Sequence, residues 1–207
     1  MMLVVGLTGS IAMGKSTAAA HLRSRGVPVF DADAVVHEIY CEEAVPLIEA
    51  AFPGTTSAEG VDRSKLSQAL QRDPSGFKRL EAIVHPLVRK REQRFLEEAQ
   101  AAGVSVAVLD VPLLYETGLD AALDAVIVVS ASTAAQRDRA MMRPGMTPEK
   151  LDHILARQMP DEEKRRRAHF VVDTNGPPGP SLRQLDAILD ALPGRRAHAF
   201  ARYWSRD

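Results

Sequence analysis

The chain carries one cysteine, Cys41, in 207 residues. That rules out an internal disulfide and a cysteine metal cluster and suits a reducing compartment, so the expected location is cytoplasmic. No stretch reaches the roughly 18 apolar residues that a membrane span needs, and no membrane partner is expected. The apolar N-terminus has no basic segment before it and gives way to a glycine-rich turn at Lys15, unlike a secretory signal. Neither sign of charge is in excess. With a formal net charge of −1, no global field draws nucleic acid, and none is expected as a partner. The basic runs Arg89-Lys90-Arg91 and Lys164-Arg165-Arg166-Arg167 then read as solvated helix faces. Asparagine occurs once, at Asn175 before Gly176, so the Asn-Lys-x-Asp guanine reader of a GTPase switch is excluded.

What is present is concentrated near the start. The apolar run Leu3-Val4-Val5-Gly6-Leu7 reads as a buried strand, and Ser16 to Arg25 reads as a helix with Ala18, Ala19 and Leu22 on its core face. Between them lies Gly9-Ser10-Ile11-Ala12-Met13-Gly14-Lys15-Ser16-Thr17, which fits G-x-x-x-x-G-K-[ST]. Such a loop turns its N–H groups around phosphate oxygens, and the helix start adds partial positive charge. Lys15 can reach the outer phosphates, and the Ser16 hydroxyl can ligate Mg²⁺. A nucleoside triphosphate is the expected ligand.

Four further short, valine-rich runs alternate with helical sequence: Val27 to Phe30, Val104 to Leu109, Ala125 to Val129 and Phe170 to Val172. The alternation predicts an α/β fold, a P-loop NTPase-type parallel five-stranded sheet covered by helices on both faces. Ligands in such sheets bind beyond the carboxyl ends of the strands. The gap after the second strand is too long for one crossover helix. Residues 34–103 read as a helical insertion, with Pro86 at a kink or at the first turn of a new helix. The core is then 1–33 with 104–192, followed by a tail at 193–207 whose Phe200, Tyr203 and Trp204 can pack back on the body. Residues 133–165 read as a hinged, arginine-bearing lid, broken at Arg143-Pro144-Gly145 and restarted by Thr147 as N-cap with Pro148. Ser181 reads as the cap of a last helix.

The strand ends carry the chemistry. Asp31-Ala32-Asp33 follows the second strand, and in extended geometry both carboxylates share a side. There Asp33 can orient a hydroxyl nucleophile and accept its proton, or it can simply cap a helix beginning at Ala34. Asp110 ends the third strand, where P-loop enzymes keep an acid for Mg²⁺ or its waters. Glu116, in Val111-Pro112-Leu113-Leu114-Tyr115-Glu116, can reach substrate or serve as a cap. Arg139 and Arg143, at i and i+4, can share one helix face and clamp phosphates, with Arg137 and Arg157 nearby in sequence. His85 can contact an anionic or polar substrate or serve as a cap. Asn175 can line an adenine loop or a turn.

Taken together, Gly6 to Thr17, Asp31-Ala32-Asp33, Ile83 to Val88, Asp110 to Glu116, Arg139 with Arg143, Gln158-Met159-Pro160 and Val171 to Thr174 resemble the dephospho-CoA kinase family. The resemblance implies a P-loop kinase core, a CoA-binding lobe and a lid. It implies transfer of the ATP γ-phosphate to the ribose 3′-hydroxyl of dephospho-CoA, with Mg²⁺ accompanying ATP. It implies Asp33, Lys15 and Arg139 as catalytic residues. ATP falls to Gly9, Ala12, Met13, Gly14, Lys15, Ser16, Thr17, Arg143 and Asn175. The acceptor falls to Thr8, Asp33, His85, Leu114, Glu116 and Arg139, and the metal to Ser16 and Asp110. Another small-molecule P-loop kinase is the alternative. Ser10, Ala12 and Met13 depart from the family pattern, as does His169, where an acidic residue is frequent.

Overall fold

The computed structural model describes residues 1–205; Arg206 and Asp207, the last two residues of the tail segment, lie outside the described residues. The chain separates into two compact units, one made of Met1–Phe30 with Leu96–Asp207 and the other of Asp31–Phe95. In chain order the strands are β1 (Leu3–Thr8), β2 (Val29–Asp31), β3 (Thr56–Ser57), β4 (Gly60–Val61), β5 (Val106–Asp110), β6 (Ala125–Ser130) and β7 (Phe170–Asp173). The helices are α1 (Lys15–Ser24), α2 (Ala32–Ile39), α3 (Val45–Ala51), α4 (Arg63–Arg72), α5 (Gly76–Ala101), α6 (Thr133–Met141), α7 (Pro148–Leu155), α8 (Asp161–Arg167) and α9 (Pro178–Ala191).

Five strands form the parallel sheet of the first unit, in the order β2-β5-β1-β6-β7. All six residues of β1 are buried, as a strand covered on both faces requires. Val5 pairs with Val108 on one side and Ala125 on the other. Strand order reverses at β1, so the crevice beyond its carboxyl end is the favoured place for a ligand. Helix α1 buries Ala18, Ala19 and Leu22, as their spacing predicts, and its His21 Nε2 meets Asp186 Oδ1 of α9 at 2.8 Å.

The tail packs back. Asp124, just ahead of β6, accepts from the backbone N–H of Val4 (2.8 Å), His198 (2.8 Å) and Ala199 (2.9 Å). Trp204 is 1% exposed and donates its indole N–H to the Ala122 carbonyl at 2.8 Å. Helix α9 begins at Pro178, earlier than Ser181. Ser181 is no cap: its hydroxyl donates to the Pro178 carbonyl one turn back (2.7 Å), and prolines fill the helix start, where a missing N–H costs nothing.

His169 has a structural task. Its Nδ1 accepts the Val126 N–H at 3.1 Å, while its own N–H donates to the Val126 carbonyl at 3.0 Å, so imidazole and backbone together start the β6–β7 ladder. The bond needs a neutral ring with its proton on Nε2. Burial, with Arg195 adding to it, lowers the pKa from the ordinary 6.5. The unfolded chain therefore takes up a proton on falling through about pH 6.5, before the folded chain does, and the fold loses stability from there down to the lower folded pKa. His169→Asn, whose amide oxygen can accept the same N–H, is expected to melt with a shallower loss between pH 7.5 and 5.5 than the parent. Parallel melting curves would refute this.

The second unit has its own core of Ile39, Ile48, Phe52, Leu66 and Leu70, against which Leu80, Ile83 and Leu87 of α5 pack. Two expectations are adjusted there. Helix α5 continues through Pro86, which therefore starts no new helix and lacks the N–H that would reach the Ala82 carbonyl. The unit is also not wholly helical, because β3 and β4 pair as a small antiparallel hairpin. The first basic run is not simply solvated either. Arg91 pairs with Glu42 (2.6 Å) and Glu43 (2.9 Å), and Arg89 lies 3.5 Å from the buried Glu92, whose carboxyl desolvation pushes up to about 7.

Candidate active site

The loop from Gly9 to Gly14 joins β1 to α1. Gly9 admits no side chain, since a Cβ there would lie 2.4 Å from Val129 Cγ2 and 2.8 Å from the Val129 carbonyl oxygen. Gly14 is the N-cap of α1 at φ 89°, and no side chain caps the helix. The Ile11 N–H is taken by Gln158, the Met13 N–H turns back to the Ser10 carbonyl (3.2 Å), and the Ala18 N–H bonds to Gly14 (3.2 Å). The amides left for an anion are those of Ala12 and residues 14–17, the uncapped first turn with its partial positive charge.

Two of the three departures in this loop, Met13 and Ala12, have physical accounts. Met13 is 2% exposed, its side chain belongs to the sheet core, and its sulfur accepts the Ala131 N–H at 3.0 Å. The Thr174 hydroxyl bonds to the Met13 carbonyl at 2.8 Å and the Ser130 carbonyl at 3.0 Å. Ala12 has φ 61°, the only positive φ at a non-glycine among the described residues. That conformation costs an L-residue about 1–2 kcal/mol, which a glycine would avoid.

Lys15 Nζ lies 2.6 Å from Asp110 Oδ1, and the two side chains are 16% and 3% exposed. An ammonium and a carboxylate thus sit together where the phosphate loop meets the end of β5. The Ser16 and Thr17 side chains are exposed and make no hydrogen bond among the described residues. A free hydroxyl and a buried carboxylate are hard oxygen donors of the kind Mg²⁺ takes alongside waters and phosphates, so the residues fit that ion.

At the end of β1, Thr8 is fully buried, and its hydroxyl donates to the carbonyl of Pro112 beyond β5 at 3.0 Å. Leu114 is a core residue, 0% exposed, filling the space above Gly6; a Cβ at Gly6 would come within 2.4 Å of Leu114 Cδ1. Its side chain offers no surface to an acceptor, contrary to the sequence expectation, whereas Leu113 is 41% exposed. Glu116 Oε1 accepts the Met159 N–H at 2.6 Å and lies 3.0 Å from Lys164 Nζ. Lys164 was hidden in the second basic run. It is fully buried and also donates to the Pro112 carbonyl at 3.4 Å, while Arg166 stays exposed and Arg167 reaches Asp120 at 2.7 Å, stacking over Tyr115. Burial, and after it the nearby Asp120 carboxylate, raise the Tyr115 hydroxyl to about pKa 12 against the opposing pull of Arg167.

In the lid segment Ser132 caps α6 and Thr147 caps α7, accepting from Ala135 N–H (3.2 Å) and Lys150 N–H (3.3 Å). Arg139 lies on α6 and donates to the Thr174 carbonyl. The expected helix face shared with Arg143 does not form: α6 ends at Met141, and Arg143 lies exposed in the following turn. Arg137 bridges to Asp152 of α7 at 3.0 Å. The Asn175 amide is engaged within the protein, accepting the Ser132 N–H (2.6 Å) and donating to Asp173 Oδ1 (2.7 Å), the turn role rather than an open adenine contact.

Asp33 and His85 belong to the second unit, and both are exposed. Asp31 is the cap of α2, accepting the Ala34 N–H at 3.1 Å, so the helix starts at Ala32 and not at Ala34. Residues 31 and 33 therefore do not form an extended pair pointing to one side. Asp33 sits in the first helical turn, with no hydrogen bond or ion pair among the described residues.

No helix among the described residues is long and apolar enough to cross a membrane. The sequence model of the dephospho-CoA kinase family matches residues 3–178. A dephospho-CoA kinase of Rhodopseudomonas palustris is 58% identical over 198 residues, covering 94% of this chain and 100% of that protein. One from Agrobacterium fabrum is 54% identical, covering 93% and 99%. A solved structure from Thermus thermophilus superposes with a TM-score of 0.78 at 36% identity, covering 92% of this chain and 96% of that one. A dephospho-CoA kinase from Campylobacter jejuni, 24% identical with a TM-score of 0.71 over 93% and 98%, shares the fold. With its phosphate loop, its strand-end acid and full-length relatives above half identical, the chain belongs to the dephospho-CoA kinase family.

Proposed function

We propose that this chain transfers the γ-phosphoryl group of ATP to the ribose 3′-hydroxyl of dephospho-CoA, giving CoA and ADP. The observation that carries the reading is the phosphate loop at the end of β1, with Lys15 at 2.6 Å from Asp110. Open amides of Ala12 and residues 14–17 receive the phosphates, and Lys15 offsets charge on the outer ones. Ser16 and Asp110 would hold Mg²⁺, and the ion would supply positive charge to offset the phosphates. Asp33 orients the 3′-hydroxyl and accepts its proton, free of any capping duty. Arg139 stabilises the transferring group, and Arg143, exposed after α6, is a cation with no side-chain partner among the described residues. Thr8 and Glu116 shape the acceptor side through the Pro112–Glu116 segment, and His85 is a further residue for the acceptor. Glycines at 9 and 14 permit the loop, and Met13 anchors it.

ADP release from ATP and Mg²⁺ is expected to depend on dephospho-CoA and to stop when the metal is chelated. Equal release with and without the acceptor would overturn the assignment.

A further inference from the structure

The tip of the phosphate loop is gripped from outside. The Ile11 N–H donates to Gln158 Oε1 at 3.1 Å, and the Ile11 carbonyl accepts from Gln136 Nε2 at 2.9 Å. A backbone N–H only donates and a carbonyl only accepts, so both side-chain amides have one orientation. Gln136 is 5% exposed on α6, and Gln158 follows α7. The residue after this gripped peptide is Ala12, held at φ 61° with its methyl packed against Ala140 and Leu151. In a trans peptide the Ile11 carbonyl and the Ala12 N–H point in opposite directions. By drawing that carbonyl outward, Gln136 aims the Ala12 N–H the other way, into the group of amides left open for an anion.

We propose that Gln136 and Gln158 are positioning residues for the nucleotide. They hold the Ile11 peptide so that the strained Ala12 stays in its binding conformation, and the α6–α8 segment thereby sets the affinity of the loop. This rests on the reading of the loop as the phosphate site of ATP. A loop whose competent conformation is only part of the population binds more weakly by that fraction. Glycine reaches the left-handed region without strain, so a chain with Gly at position 12 depends less on the grip.

Gln136→Met and Gln158→Met keep length while removing donor and acceptor. Each is expected to raise the Kd for MgATP, measured by calorimetry without acceptor, by about five- to tenfold. In an Ala12→Gly background the rise shrinks to about twofold. A merely structural role would lower the melting temperature and leave the Kd unchanged, with no relief from Ala12→Gly. Should either variant fail to fold, Gln136→Asn and Gln158→Asn, one methylene too short to reach, provide the same comparison. Kd values within twofold of the parent, or an equal rise in both backgrounds, overturn the grip. A parent that binds no ATP overturns the phosphate-site reading itself.

Discussion

Asp33→Asn is expected to lower turnover of ATP with dephospho-CoA by about 100-fold or more while leaving MgATP affinity within about twofold. On the proposed mechanism the substitution removes the proton acceptor, and it keeps the size of the side chain. The usual objection to such a test is that the acid also caps its helix, so lost activity reflects a frayed N-terminus. Here the two duties lie on different residues. Asp31 accepts the Ala34 N–H at 3.1 Å, and Asp33 makes no bond among the described residues. The structural cost of Asp33→Asn is then limited to the helix dipole, a few tenths of a kcal/mol for an exposed first-turn carboxylate. Asp31→Ala provides the converse control, losing about 1 kcal/mol of stability through the cap and far less activity. Initial rates and melting curves on the two variants separate the roles. Normal turnover in Asp33→Asn would remove it from the chemistry.

Much of this was legible in the sequence wherever local pattern decides structure. The strand, the glycine loop and the helix around Lys15 are contiguous, and the five core strands lie in short apolar runs that can be read without their partners, β1, β5 and β6 buried throughout and β2 and β7 only in part. The Thr147 cap with Pro148 is equally local, because its bond spans three residues. What escaped depends on contacts distant in sequence. Lys164 stands in a run of cations, and only the approach of Glu116 and Pro112 makes it a buried residue. Met13 looks foreign to a phosphate loop until the Ala131 N–H and the sheet core are seen to receive its sulfur and its chain. The tail is fixed by Asp124, whose carboxylate takes three backbone N–H groups from the two ends of the chain. Arg143 misled for the opposite reason: the i,i+4 pattern held in sequence, but Pro144 and Gly145 stop the helix just before it can count.

Glu116→Ala is expected to destabilise the fold by about 3–5 kcal/mol, because it strands a charge in the interior. Lys164 is fully buried, and its remaining acceptor is the Pro112 carbonyl at 3.4 Å, too distant to replace a carboxylate at 3.0 Å. The same substitution frees the Met159 N–H, which now bonds to Glu116 at 2.6 Å. For a chain of this size such a loss lowers the melting temperature by roughly 10 °C. Removing the stranded charge as well, in Glu116→Ala with Lys164→Met, is expected to recover part of the loss, so the double variant melts above the single one. That recovery distinguishes two accounts of Glu116. If the carboxylate only touches the acceptor, Glu116→Ala raises the KM for dephospho-CoA at an unchanged melting temperature, and Lys164→Met brings no relief. If it holds the buried ammonium, stability falls first, and any change in KM follows from the Pro112–Glu116 segment losing its anchor beside Thr8. Melting curves and acceptor KM values on the parent, both single variants and the double variant form a cycle whose coupling reads the pair directly.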